Sequence, residues 1–86
     1  MTDVTTTAID IDELRATIAA IIEVDVAELT DDARFDADLE VDSLLGLEIQ
    51  VSLEEKYGVE LPEEEFKSVK TLSMVHELLT AKKAAG

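Results

Sequence analysis

At 86 residues, 47% of them hydrophobic, the chain is long enough for one small domain but too short to enclose a deep catalytic cleft. Its net charge of −14, from 21 acidic and 7 basic residues, argues against nucleic acid or anionic membrane as direct partners and favours proteins with basic patches. The absence of cysteine excludes disulfides and thiolate metal sites.

Residues 1–9 read as a flexible tail. Met1–Ala8 is polar and Thr-rich, without the basic start and apolar run of a secretory signal. No segment reaches membrane-spanning length, so the expected location is the cytoplasm. Asp10 and Glu13 then form an N-cap pattern. Ile11, Leu14, Ile18, Ile21 and Ile22 follow at helical spacing, which predicts helix I from Ile11 to Glu23.

Val24 to Asp42 is a long connection, with seven acids and only Arg34 to oppose them from Glu28 onward. Loops of this length are uncommon unless they pack or carry function. Val26, Leu29, Phe35, Leu39 and Val41 are the apolar anchors expected to tether it to the core. Helix II is predicted from Ser43 to Tyr57, stopped by Gly58. At about 100° per residue, Leu45, Ile49, Leu53 and Tyr57 form one apolar stripe, and Leu44, Leu47 and Val51 a second on the far side. A helix in a small bundle needs only one.

Val59-Glu60-Leu61-Pro62 reads as an extended link, followed by a short helix III from Glu63 to Lys67 around Phe66. Thr71 is the expected N-cap of helix IV, which carries Leu72, Val75, Leu78 and Leu79 before Lys82-Lys83. Residues 82–86 are expected to fray, leaving 10–81 as the domain. The Met start and short tail point to a free-standing chain. The fold class is all-α: a four-helix bundle of three longer helices and a short third, with a long loop between the first two.

Ser43 is the candidate reactive residue. It opens a helix, where unpaired N–H groups and the positive end of the helix dipole converge on any phosphate attached to its hydroxyl. Asp-Ser before an apolar helix is also an ordinary capping pair. The chain has little else for covalent chemistry. His76, the only histidine, falls near the Leu72/Val75/Leu79 face of helix IV, where a packed or edge position suits it better than catalysis. Asp36-Ala37-Asp38-Leu39-Glu40 fails as a calcium loop, because Val41 and Leu47 stand where that loop needs Gly and Glu. No metal site is expected. The second stripe of helix II, flanked by Glu48, Glu54 and Glu55, is either covered by helix III and the loop or open as a docking strip.

Leu29-Thr30, Phe35, Asp38-Leu39, Asp42-Ser43-Leu44, Glu48, Leu53-Glu54-Glu55, Tyr57-Gly58-Val59-Glu60-Leu61-Pro62 and Thr71 occur in this order between about Ile11 and Leu79. In this combination the chain resembles the acyl carrier protein family. The resemblance implies that Ser43, between Asp42 and Leu44, is the attachment site of 4′-phosphopantetheine. A phosphopantetheinyl transferase would donate the group from coenzyme A with magnesium, and its thiol would carry acyl groups as thioesters. The protein would be a monomeric carrier and not a catalyst. Leu44, Leu47, Glu48, Val51, Glu54 and Glu55 would form the face read by acyltransferases, ketosynthases and acyl- or aminoacyl-loading enzymes with basic docking patches.

Two features depart from the family. Glu40-Val41 replace a stretch where glycine is common, and Leu45-Gly46 stand where many fatty-acid carriers are polar. They favour a polyketide or mixed polyketide–peptide carrier. The alternatives are a fatty-acid-synthesis carrier, an aminoacyl or peptidyl carrier and, in a different class, an unmodified acidic adaptor.

Overall fold

The structure is a computed structural model and describes residues 9–85. It contains four α-helices: α1 (Ile11–Ile22), α2 (Ser43–Tyr57), α3 (Glu63–Lys67) and α4 (Leu72–Ala85). A 3₁₀ turn at Val26–Glu28 interrupts the long first connection. No helix among the described residues is long and apolar enough to cross a membrane.

Local chemistry sets the helix ends. The Asp10 carboxylate accepts the Asp12 N–H and starts α1, while Glu13 pairs with Lys56 on α2 and does not complete a capping box. Helix α1 stops one residue earlier than its apolar pattern suggests. Glu23 adopts the left-handed conformation (φ 62°, ψ 47°), and the Val24 N–H returns to the Ala19 carbonyl at 3.0 Å. Gly58 ends α2 in the same conformation without a Cβ penalty. The Thr71 hydroxyl accepts the Met74 N–H at 3.3 Å, as expected of the cap of α4.

Packing of α1 against α2 and α4 builds the core. Leu14, Ile18 and Ala19 come from α1, Ile49 and Leu53 from α2, and Leu72, Val75 and Leu79 from α4. Ile9, Leu29, Phe35 and Leu61 complete it from outside the helices. These are all aliphatic apart from Phe35, in keeping with a chain of three aromatic residues.

The long loop is tethered, as its apolar residues suggested. Leu29 and Phe35 are buried and Leu39 and Val41 pack on the core, but Val26 is exposed at the start of the 3₁₀ turn. Arg15 anchors the loop from α1: it donates to the Leu29 carbonyl at 2.8 Å and pairs with Asp31 at 2.8 Å. The Asp31 carboxylate, with Asp12 beside it, raises the Arg15 guanidinium above its ordinary pKa. The Phe35 N–H donates to the Lys70 carbonyl, which ties the loop to the segment before α4. Much of the loop's acidity therefore serves its own turns. Asp38 accepts the Arg34 N–H, and Asp36 accepts the Ala37 N–H and pairs with Arg34.

Two terminal assignments need correction. Residues 1–8 lie outside the described residues, but Ile9, grouped with that tail, is buried. His76 Nε2 donates to the Ile9 carbonyl at 2.6 Å and pins the residue to α4. At the other end, α4 runs through Lys82 and Lys83 to Ala85, without fraying at residue 82. Lys82 pairs with Glu65 at 2.7 Å and Lys83 donates to the Tyr57 carbonyl at 3.2 Å, so both lysines hold the helix to its neighbours. Gly86 lies outside the described residues.

The net charge of −14 opposes compaction by self-repulsion. Raising the ionic strength from about 0.01 to about 0.15 M shortens the Debye length from about 30 to about 8 Å. The melting temperature is expected to rise over that range. A flat or falling response would mean that the acids are already compensated locally.

Candidate functional site

Ser43 is the first residue of α2, and its side chain is exposed. Asp42 caps the helix: its carboxylate accepts the Leu45 N–H at 2.9 Å, and its carbonyl accepts the Gly46 N–H at 2.8 Å. The N–H groups of Ser43 and Leu44 stay outside the helical ladder, at the positive end of the dipole. A phosphate on the Ser43 oxygen would lie within their reach. The carboxylate beside the serine is thus occupied with the cap, and Asp42 is not arranged as a base.

The chain approaches Ser43 through Glu40, whose φ of 56° is left-handed. A non-glycine residue in that region costs of order 1 kcal/mol or more. Glycine would be unstrained at this position, which gives the departure at Glu40-Val41 a physical meaning. The backbone needs a turn here that this chain makes with a residue poorly suited to it.

Beside Ser43 lies an open groove of about 730 Å³. One wall is α2, through Ser43, Gly46, Leu47 and Gln50, and the loop contributes Phe35 and Val41. The opposite wall is Phe66 and Lys67 of α3 with Val69 and Lys70 of the link after it. Gly46 gives this groove a bare helix backbone. A Cβ built there meets nothing within 4 Å, so packing does not require glycine. Gly46→Ala is expected to stabilise the domain by about 0.5–1 kcal/mol, the usual helix cost of glycine, and to raise Tm in a thermal melt. A lower Tm would show that the space over Gly46 is occupied in solution.

The two stripes of α2 separate as their spacing suggested. Ile49 and Leu53 are buried, with Leu45 and Tyr57 half-buried at the ends. Leu44, Leu47 and Val51 are 73%, 51% and 44% exposed, so neither α3 nor the loop covers the second stripe. Glu48 and Glu55 are exposed alongside it.

Glu54 departs from that group. It is half-buried, and its carboxylate accepts the Leu61 N–H at 2.8 Å, while Gln50 donates to the Leu61 carbonyl. The pair satisfies both backbone groups of Leu61 and seats its side chain in the core. Glu54 is therefore a structural residue with at most one oxygen to offer a partner. Neither this role nor that of Gln50 has a local sequence signal, since both depend on a residue seven or eleven positions away.

Asp36, at the groove's edge, has its pKa lowered chiefly by the hydrogen-bonded Arg34 guanidinium. Its contribution to stability is present above the ordinary carboxylate range and is lost as pH falls through the depressed value.

Comparison with known proteins agrees with this geometry. The phosphopantetheine attachment site family matches residues 12–79. Polyketide-8 synthase acyl carrier protein 2 of Streptomyces avermitilis is 52% identical over 95% of this chain and 94% of its own length. The acyl carrier protein of Thermosynechococcus vestitus is 36% identical over 87% of this chain and 93% of its own. Among solved structures, an acyl carrier protein from Enterococcus faecalis superposes with a TM-score of 0.69, covering 86% of this chain and 99% of that one at 22% identity, a likeness of fold. The bundle, the family match across most of its length and these relatives together place the chain in the acyl carrier protein family, whose prosthetic group is 4′-phosphopantetheine.

Proposed function

We propose that this chain is a polyketide-type acyl carrier whose 4′-phosphopantetheine is borne on Ser43. The observation that carries the reading is the placement of Ser43: exposed at the start of α2, within the Asp42-Ser43-Leu44 context, at the rim of a groove. The polyketide assignment is supported by the 52% identical relative from Streptomyces avermitilis. The unmodified-adaptor alternative loses its support with the family match.

The residues present fit the group. Ser43 is exposed to a transferase, and the N–H groups of Ser43 and Leu44 would be available to hold a phosphate attached to it. An open groove of about 730 Å³ lies beside them. Once attached, the group supplies a thiol that holds an acyl chain as a thioester. The chain's own residues then present it. Asp42 fixes the helix start, Glu54 and Gln50 keep the α2–α3 link in place, and Leu44, Leu47, Val51, Glu48 and Glu55 meet the partner enzymes.

Those partners are a phosphopantetheinyl transferase together with acyltransferases and ketosynthases carrying basic patches. An exposed apolar strip rimmed by carboxylates suits brief, steered encounters with several such enzymes. Because the arm comes from coenzyme A, the work belongs in the cytoplasm. The test is intact mass after incubation with coenzyme A and a broad-specificity transferase, followed by loading from malonyl and aminoacyl donors. One phosphopantetheine followed by a malonyl addition is the expected result. Aminoacyl loading alone would favour the peptidyl-carrier alternative, and no mass gain would reject the carrier reading.

A further inference from the structure

Seven basic side chains face 21 acidic ones in this sequence, and five of the seven are engaged. Arg15, Arg34, Lys56 and Lys82 pair with carboxylates, and Lys83 donates to the Tyr57 carbonyl. Lys67 and Lys70 form no ion pair or side-chain hydrogen bond among the described residues. In so acidic a chain, two unengaged cations three positions apart invite an explanation. Both line the groove that has Ser43 on its rim.

We propose that Lys67 and Lys70 form a seat for an anion carried on Ser43, drawing the arm back into the groove between α2 and α3. The inference rests on Ser43 being the modified residue. A phosphodiester there is permanently ionised and is added beside Asp42, with Asp36 also lining the groove. Those carboxylates repel a further negative charge, the start of α2 offsets that repulsion in part, and facing cations would offset more of it. The two lysines on the opposite wall are placed to do so. Lys70 already acts through space at this site, since its charge contributes, behind Arg34 and the Ala37 N–H, to holding the Asp36 carboxyl low. Gly46, with open space where a side chain would stand, leaves the α2 wall clear for the arm. The anion has two possible sources of one chemistry: the phosphodiester itself, or the carboxylate of a dicarboxylic acyl cargo such as malonyl.

The test compares backbone amide spectra of the apo, holo, acetyl-loaded and malonyl-loaded protein, each form verified by intact mass. Loading is expected to shift the amides of Gly46 and of Phe66 to Lys70. In the Lys67→Gln/Lys70→Gln double variant those shifts should shrink by about threefold, the scale of losing two exposed charge contacts. Lys56→Gln, which removes one positive charge away from the groove, should leave them unchanged. Lysine-dependent shifts of equal size in the holo, acetyl and malonyl forms assign the seat to the phosphodiester. Lysine-dependent shifts in the malonyl form alone assign it to the cargo carboxylate. Shifts that are absent from the groove, or identical in the native and double-variant proteins in every form, overturn the seat. A native protein that gains no mass with transferase overturns the Ser43 reading itself, and the seat with it.

Discussion

Ser43→Ala is expected to fold as the native protein does and to gain no mass with coenzyme A and a phosphopantetheinyl transferase. The side chain is exposed and the cap belongs to Asp42, so removing the hydroxyl leaves the α2 start in place. An exposed substitution of this kind changes stability by less than about 0.5 kcal/mol. The loss of modification, in contrast, should be complete. Ser52, Ser68 and Ser73 lack the Asp42/Leu44 setting, and the Ser68 hydroxyl donates back to the Glu64 carbonyl. Asp42→Ala separates cap from chemistry. It should lower stability by about 1 kcal/mol through loss of the cap while leaving the hydroxyl present. Mass gain by Ser43→Ala would place the arm elsewhere in the chain.

What the sequence made legible was local. Asp10, Asp42, Gly58 and Thr71 mark helix ends because capping acts within a few residues, and the structure uses all four as marked. The two stripes of α2 were legible for a similar reason. Helical spacing sorts residues by face, and a second apolar face on a short bundle helix has no core left to fill. What remained hidden depends on residues distant in sequence. Ile9 reads as tail until His76, 67 positions away, accounts for its carbonyl. Arg15 looks like any polar residue of an amphipathic helix, yet it anchors the loop at Leu29 and Asp31. Glu54 flanks the second stripe on a helical wheel, as Glu48 and Glu55 do, but the wheel carries no information about the Leu61 N–H. Charge counting likewise missed Lys67 and Lys70, because their interest lies in what they do not contact.

Val51→Asp and Ile49→Asp, two positions apart on α2, are expected to have opposite consequences. Ile49 is 1% exposed, and a carboxylate there would be desolvated without a partner. The cost should be about 4 kcal/mol or more, against roughly 4–13 kcal/mol for the stability of a domain this size. Ile49→Asp should therefore be largely unfolded or melt far below the native protein by circular dichroism. Val51 faces solvent beside Leu44 and Leu47, and its replacement should leave the melt nearly unchanged. Its effect should appear in docking. A polar group in the middle of a small apolar contact typically costs about 1–2 kcal/mol of binding, or about tenfold in transferase kcat/KM. Glu48→Lys and Glu55→Lys should slow loading by a different route, lowering the association rate, and the remaining rate should depend less on salt. Glu54→Lys should instead lower Tm, because it breaks the hold on Leu61. If Val51→Asp unfolds the domain while Ile49→Asp is tolerated, the two faces of α2 are reversed. A Val51→Asp protein that loads at the native rate would move partner recognition off the Leu44/Leu47/Val51 strip and leave the carboxylates as its remaining basis.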